Sequence, residues 1–308
     1  MDLPKDRSHL KDALAHAELI AVLSAVTSDE PRVMTVSKGE ALPSGPFEVE
    51  HRSLQAGLRE WVNEQTGHPL GYLEQLYTFA DRDRAPQEKA RRTISISYLG
   101  LVREQAAPGA GAPGWHGWYE YFPWEDHRDG RPEALSAITD ALVRWAASDG
   151  SRREHRQKRV DLSLGLNGAA WNEELALQRY ELMYEAGLVE EAGAGISGTG
   201  RPMFADHRRI LATAITRLRA KIKYRPVVFE LMPESFTLSH LQRTVEALAG
   251  LALHKPNFRR LIDQQELIEE TGAMSSETGG RPAKLYRYRR AILEEHALSS
   301  ARLPLSRN

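Results

Sequence analysis

Residues 236–290 read FTLSHLQRTVEALAGLALHKPNFRRLIDQQELIEETGAMSSETGGRPAKLYRYRR, and this stretch decides what kind of molecule the chain builds. Leu238, Leu241, Val245 and Leu248 recur at helical spacing behind Thr237, a residue type that caps helix starts with its hydroxyl. Phe236 and Leu241 flank that start as a hydrophobic staple, and Gly250 stops the helix. A further helix is expected over about 256–264. It should bury Phe258, Leu261 and Ile262 and turn Asn257, Arg260 and Gln264 outward, with Arg259 on the flank. Two strands, 267–269 and 284–290, can then pair around a tip at 274–282, where Gly279 and Gly280 permit a tight reversal. Upstream, Leu211, Ile215, Leu218 and Ile222 stripe another helix, for which Asp206 is the expected N-cap.

Three helices followed by a hairpin describe a winged helix-turn-helix over residues 205–308. Its outward residues suit DNA. A helix in the major groove needs donors that reach base edges, and Arg and Asn are the usual readers of guanine and adenine. Candidate contacts are Lys255, Asn257, Arg259, Arg260 and Gln264 on the helix, with Arg281 and Lys284 on the wing, where cations meet phosphates. The whole chain carries a net charge of -1, which excludes wholesale coating of nucleic acid. Residues 252–290, however, hold eight basic against five acidic residues, a local surplus of three. A helical module that binds another protein shares much of this pattern, so that reading stays open.

The N-terminal half is mixed. Apolar, β-branched runs at 19–27, 32–36, 72–79 and 93–102 read as strands, with a helix over about 52–66. Polar or Gly-rich loops fall at 81–92 and 106–114, and the aromatic stretch 115–124 reads as a further strand region. From Pro132 the pattern turns helical, with a stripe of Leu135, Ile138, Leu142 and Trp145 and a later helix over 173–186. The basic run at 151–159 is read as a solvated face or linker, with phosphate contact as the rival. Gly193, Gly195 and Gly198 have dinucleotide-fingerprint spacing, but they follow a helix instead of a strand. That makes them a flexible loop.

One helix of this half carries a pattern that resembles the Nudix signature. Gly45 fills its first glycine, and Arg59, Glu60 and Trp61 fill its Arg-Glu-apolar element at the correct distance. His51 stands where that pattern has Glu, Asn63 replaces one of the paired glutamates, Glu64 survives, and the closing glycine arrives one position late at Gly67. Hard divalent cations want several oxygen ligands on one helix face, and affinity falls with each lost charge. Glu60 and Glu64, at i and i+4, leave at most one weak Mg²⁺ site, too little for efficient multi-metal hydrolysis. Ligand contacts are expected from Tyr77 and Phe79, whose rings stack an adenine, and from Arg82 and Arg84, with Arg59 near the phosphates. Tyr77 and Phe79 are equally readable as core, and the arginines as ordinary loop charges.

The string Phe229-Glu230-Leu231, Phe236-Thr237-Leu238, Asn257-Phe258-Arg259-Arg260 and Gly280-Arg281-Pro282-Ala283-Lys284-Leu285-Tyr286 resembles the C-terminal domain of Nudix-related transcriptional regulators of NAD biosynthesis. These are of the NrtR type, with its NadQ-like branch. The resemblance implies an α+β chain: a Nudix-like α/β/α sandwich over 1–204, with a helical insertion at about 132–190, and a winged helix over 205–308. It further implies a repressor that binds an inverted-repeat operator as a homodimer and senses ADP-ribose, NAD or ATP. An active Nudix hydrolase with an accessory DNA-binding domain is the alternative. The chain has no cysteine, which excludes disulfides, thiolate zinc sites and cysteine nucleophiles. No secretory pattern opens it and no long apolar run interrupts it, so a cytoplasmic protein without membrane contact is expected.

Overall fold

The computed structural model describes residues 16–68, 70–80, 93–104, 114–193, 195–275 and 282–289. A mixed sheet organises the N-terminal half. Its strands are β1 (His16–Thr27), β2 (Glu30–Thr35), β3 (Ser44–Pro46), β4 (Tyr72–Phe79), β5 (Thr93–Leu101) and β6 (Gly114–Gly117). They lie in the order β4-β5-β1-β2-β6, with β3 also paired to β1. Only β1 and β5 run parallel; β1–β2, β1–β3, β2–β6 and β4–β5 are antiparallel.

Because β1 is central, both of its faces are covered and its sequence is continuously apolar. Leu19, Ala21, Leu23 and Ala25 face helix α1 (Leu54–Thr66), where Leu58 and Val62 close a small core. Ile20 and Val22 face the other way, into a large core shared with all the remaining helices. Ser53 caps α1, its hydroxyl accepting from the Ala56 N–H at 3.1 Å. Gly67 ends it in the left-handed region (φ 67°), its N–H donating to Asn63 O. The late glycine is thus a left-handed cap one residue past the helix end.

The aromatic stretch departs from expectation. Only β6 is extended; α2 (Trp118–Tyr121) is a single helical turn, and a 3-10 turn follows at Pro123–Glu125. Trp118, Tyr121 and Phe122 stand at i, i+3 and i+4 and are all completely buried, so the helical period overrides the β propensity of their rings. The insertion then provides α3 (Ala134–Ala147), α4 (Arg153–Leu164) and α5 (Ala176–Glu185), the last preceded by a 3-10 turn at Glu173–Leu175. The Gly193–Gly198 segment carries positive φ at Gly193, Gly195 and Gly198 and is loop, as its context suggested.

Helix α6 (His207–Ile222) is buried nearly all round. It packs on α5, on the sheet and on α7 (Leu238–Ala249). A helix apolar on one stripe only would not survive there; α6 does because its polar residues are individually paired, as described below. Asp206 precedes α6 but makes no capping bond, and its carboxylate pairs with Arg209 instead at 3.4 Å. Helix α8 (Lys255–Gln265) follows α7, and β7 (Ile268–Ser275) pairs with β8 (Ala283–Tyr288) as a hairpin longer than expected. Phe236 and Tyr286 exchange backbone hydrogen bonds at 2.9 and 2.8 Å, which stitches the start of α7 to the hairpin. Among the described residues, no helix is long and apolar enough to cross a membrane.

Candidate functional site

The outward face of α8 is built by two anchors. Phe258 and Ile262, each 8% exposed and one turn apart, hold the helix to its domain. Leu261 does not join them: it is 51% exposed, a correction to the expected core, because it lies about 60° round the helix from Phe258 and about 100° from Ile262. Lys255, Asn257, Arg259, Arg260 and Gln264 are all exposed. Their side chains make no hydrogen bond or ion pair to any other described residue, and Lys255, Pro256, Arg259, Arg260, Asp263 and Gln264 line a shallow open depression. Unpaired donors on a convex helix are available to an external partner.

The wing differs. Lys284 Nζ meets Glu270 Oε1 at 2.7 Å, and Arg287 Nε meets Glu269 Oε1 at 2.6 Å. The Glu270 hydrogen bond raises the Lys284 pKa, so the ammonium stays charged while its neighbour offsets its field. Arg281 and the glycines of the tip lie outside the described residues.

On the signature helix, the residues expected to meet a metal or nucleotide are largely occupied by the chain itself. His51 is held by the Glu48 N–H, which donates to its Nδ1 at 2.9 Å, and it packs beside Phe47 and Trp61. Its Nε2 lies 3.5 Å from Glu60. Trp61 covers Gly45 so closely that a Cβ there would meet the indole at 2.3 Å, and its Nε1 donates to Pro46 O. Arg59 donates to Leu70 O and to Gly71 O, bracing the loop into β4, so it is a tie and not a free phosphate ligand. Glu60 and Glu64 are exposed. No group of three or more His, Asp or Glu among the described residues is placed to hold a metal ion, so the donor set does not fit the multi-metal chemistry of the signature.

Tyr77 and Phe79 of β4 touch edge to face, ring centroids 5.0 Å apart, but differ in burial. A register shift between Gln75 and Thr78 breaks the alternation, leaving Tyr77 59% exposed and Phe79 4% exposed. The Arg209 guanidinium sits 4.8 Å above the Phe79 ring. Phe79 is therefore core, a correction, and Tyr77 alone of the pair offers a ring to a ligand. Arg82 and Arg84 lie outside the described residues. The basic run forms part of α4, where Arg156 lies over Trp145 and Arg159 pairs with Glu185 at 2.6 Å.

What the sequence did not reveal is the joint between the halves. Glu125 is completely buried between two completely buried arginines. Arg179 of α5 grips it bidentately at 2.5 and 2.8 Å, and Arg219 of α6 adds a third bond at 2.5 Å. Burial alone opposes the Glu125 charge, but the two guanidiniums overcome it and hold the carboxyl below the ordinary carboxylate range. Arg219 also donates from Nε to Leu248 O, near the end of α7. At that end Gly250 has φ 68°, and a Cβ on it would meet Glu125 O at 2.3 Å. Tyr119 Oη donates to Ala247 O at 2.6 Å, and the His127 N–H donates to Gly250 O at 2.7 Å. On the sheet side, Lys221 of α6 binds Tyr72 Oη and Glu74 of β4. His207, buried, accepts the Leu42 N–H on Nδ1 at 2.8 Å, and burial pushes its pKa down to about 4.

These observations define a class: a Nudix-like sandwich joined through a buried ion-pair cluster to a winged helix whose outer face carries donors unpaired among the described residues. Residues 228–288 match the family model of the NrtR DNA-binding winged helix domain. The ADPR responsive transcriptional repressor NtrR of Acinetobacter baylyi is 41% identical over 83 residues, which is 27% of this chain and 33% of that protein. The chain thus aligns with about a third of the length of that relative. NrtR of Shewanella oneidensis, solved in complex with a 27mer DNA, superposes with a TM-score of 0.55 at 21% identity over 89% of this chain and 93% of that one. A MutT/nudix family protein from Enterococcus faecalis gives 0.52 at 18% identity over 94% and 90%. The two structural likenesses concern the fold; the sequence match carries the NrtR resemblance in the winged helix.

Proposed function

We propose that the chain is a transcriptional repressor, working in the cytoplasm as a homodimer on an inverted-repeat operator. Its N-terminal domain binds an adenine nucleotide without efficient hydrolysis. ADP-ribose is the first candidate, because the similar Acinetobacter protein is named as ADPR-responsive. NAD and ATP are the next candidates, and genes of NAD biosynthesis are the expected targets. The observation that carries the proposal is the set of unpaired base-reading donors on α8, in a domain matched by the NrtR winged helix model.

The mechanism is one of linkage. The Glu125–Arg219 joint fixes α7 against the sandwich, and α7 carries α8, so a shift of the sandwich on nucleotide binding changes the spacing of the two recognition helices in a dimer. If the nucleotide alters operator affinity, the operator must alter nucleotide affinity by the same factor. The expected boundary between residues 204 and 205 is kept as part of the proposal; α6 packs on both the sheet and α7, and the match to the winged helix model begins at residue 228. Glu64, with Glu60 beside His51, would hold at most a loosely bound cation that screens a diphosphate.

The test is a mobility shift with the full chain on the duplex upstream of its own gene, repeated with ADP-ribose, NAD and ATP. A salt-sensitive shift altered by one nucleotide supports the reading. Release of AMP from ADP-ribose with Mg²⁺ at ordinary enzymatic rates, with no shift on any promoter fragment, supports a hydrolase instead.

A further inference from the structure

Leu261 gives α8 a feature that the unpaired donors alone do not explain. Asn257, Arg260, Leu261 and Gln264 stand at i, i+3, i+4 and i+7, so they form one continuous stripe, and all four are exposed. The stripe therefore reads amide, guanidinium, isobutyl, amide. Arg260 lies on the stripe and the exposed Lys255 and Arg259 on the far flank of the same helix, against one exposed carboxylate, Asp263, so α8 as a whole is net cationic, which suits a polyanion better than an apolar protein groove. Within a major groove, only one base presents an apolar group at its edge, the C5-methyl of thymine.

Resting on the DNA-binding reading above, we propose that Leu261 is a specificity-determining residue that packs against a thymine methyl. The A·T pair carrying that thymine sits beside the base pair that Arg260 reads. Asn257 and Gln264, one turn to either side of Leu261, contribute bidentate contacts to adenine, and Arg260 contributes one to guanine. The operator half-site is then defined at a minimum by a guanine flanked by A·T pairs. Leu261 adds no charge and no hydrogen bond, so its contribution is independent of salt, unlike that of the cations elsewhere on the helix.

The experiment removes one methyl group at a time. Duplexes bound by the full wild-type chain are selected from a randomised pool, and each thymine of the consensus is replaced singly by deoxyuridine, which differs only in the missing methyl. Wild type should bind one uracil duplex about three- to fivefold more weakly, the range for losing one buried methyl group. Leu261→Ala should bind that duplex and its thymine parent equally, Leu261→Met should keep the discrimination, and Arg260→Ala should also keep it while losing preference at the neighbouring position. Because Leu261 is half exposed, the alanine variant should melt like wild type, and that is checked first. The inference is overturned if every uracil duplex binds wild type as well as thymine does, or if Leu261→Ala still discriminates. It is equally overturned if the variant alters self-association while leaving selected sequences unchanged, which would assign the side chain to a protein contact. Failure to select any sequence is a different result: it removes the DNA-binding reading itself.

Discussion

Helices α6 and α8 both carry conspicuous arginines, and they put them to opposite uses. Arg208 and Arg219 of α6 have no exposed surface, and their guanidiniums are spent inside the chain: Arg208 on Glu191, Tyr121 O and Thr199 O, Arg219 on Glu125, Glu173 O and Leu248 O. Arg259 and Arg260 of α8 are exposed and have no partner among the described residues. The residue type says nothing about which role it plays; the partner does. A buried guanidinium needs a counter-charge and most of its hydrogen bonds met within the chain (of Arg208 only Nε is left without a partner), whereas an unmatched exposed one waits for an outside anion. Helix α1 falls between the two, since its Arg59 is exposed yet tied to backbone carbonyls.

Glu125→Ala attacks the inner set and should have the largest effect. It leaves Arg179 and Arg219 buried without their counter-charge, a loss of about 3–5 kcal/mol of stability, measurable by urea denaturation. An unchanged midpoint would show that the joint is dispensable. The same carboxylate sets a pH dependence. Its folded pKa is depressed, so its contribution is complete above the unfolded carboxylate range and is lost as pH falls through the lower folded value.

His207 at the head of α6 acts in a milder window. With its folded pKa lowered from 6.5 to about 4, the unfolded chain takes up the proton first, so stability present above 6.5 declines as pH falls towards 4. The loss is on the order of 3 kcal/mol. His207→Gln, with an oxygen in place of Nδ1 to accept from Leu42, should flatten that decline in denaturation curves taken at successive pH values. A decline of unchanged steepness would show that another group is responsible.

The outer set should respond in the opposite way. Arg260→Ala should cost about 1–3 kcal/mol at the selected operator and leave the melting temperature unchanged. Lys284→Ala should weaken all duplexes alike and flatten the salt dependence slightly, by less than a free cation would, because Glu270 already faces it. Equal loss of stability and of DNA affinity in Arg260→Ala would erase the distinction between the two helices. Smallest of all is the effect of a chelator on nucleotide affinity, expected within about twofold, because the signature helix presents at most two exposed carboxylates. A tenfold loss by calorimetry would restore a tightly held metal to that helix.

The winged helix was legible because its signals are local. Thr237 caps where a hydroxyl should, its oxygen accepting the His240 N–H at 3.1 Å, and Gly250 stops α7 as read. The signature helix was legible for the same reason, down to the residues that depart from the pattern. Phe79 and Tyr77 could not be assigned to core or ligand because a one-residue bulge flips a strand's faces and leaves no trace in alternation. Leu261 misled because an apolar residue beside two anchors reads as a third. The joint was invisible for a different reason: Glu125 meets its partners across 54 and 94 residues, and nothing near Glu125, Arg179 or Arg219 marks them as one cluster. The clue that was present is a charged residue next to a run of aromatics that must be buried, which obliges some distant cation to accompany it inside.

The most direct measurement titrates the full chain with its selected operator in the absence and presence of saturating ADP-ribose, and then titrates it with ADP-ribose in the absence and presence of operator. Equal factors of change in the two directions, about 5- to 150-fold, with the nucleotide recovered intact, are the result the account predicts. Operator affinity indifferent to ADP-ribose, NAD and ATP alike, or consumption of the nucleotide during the titration, would contradict it.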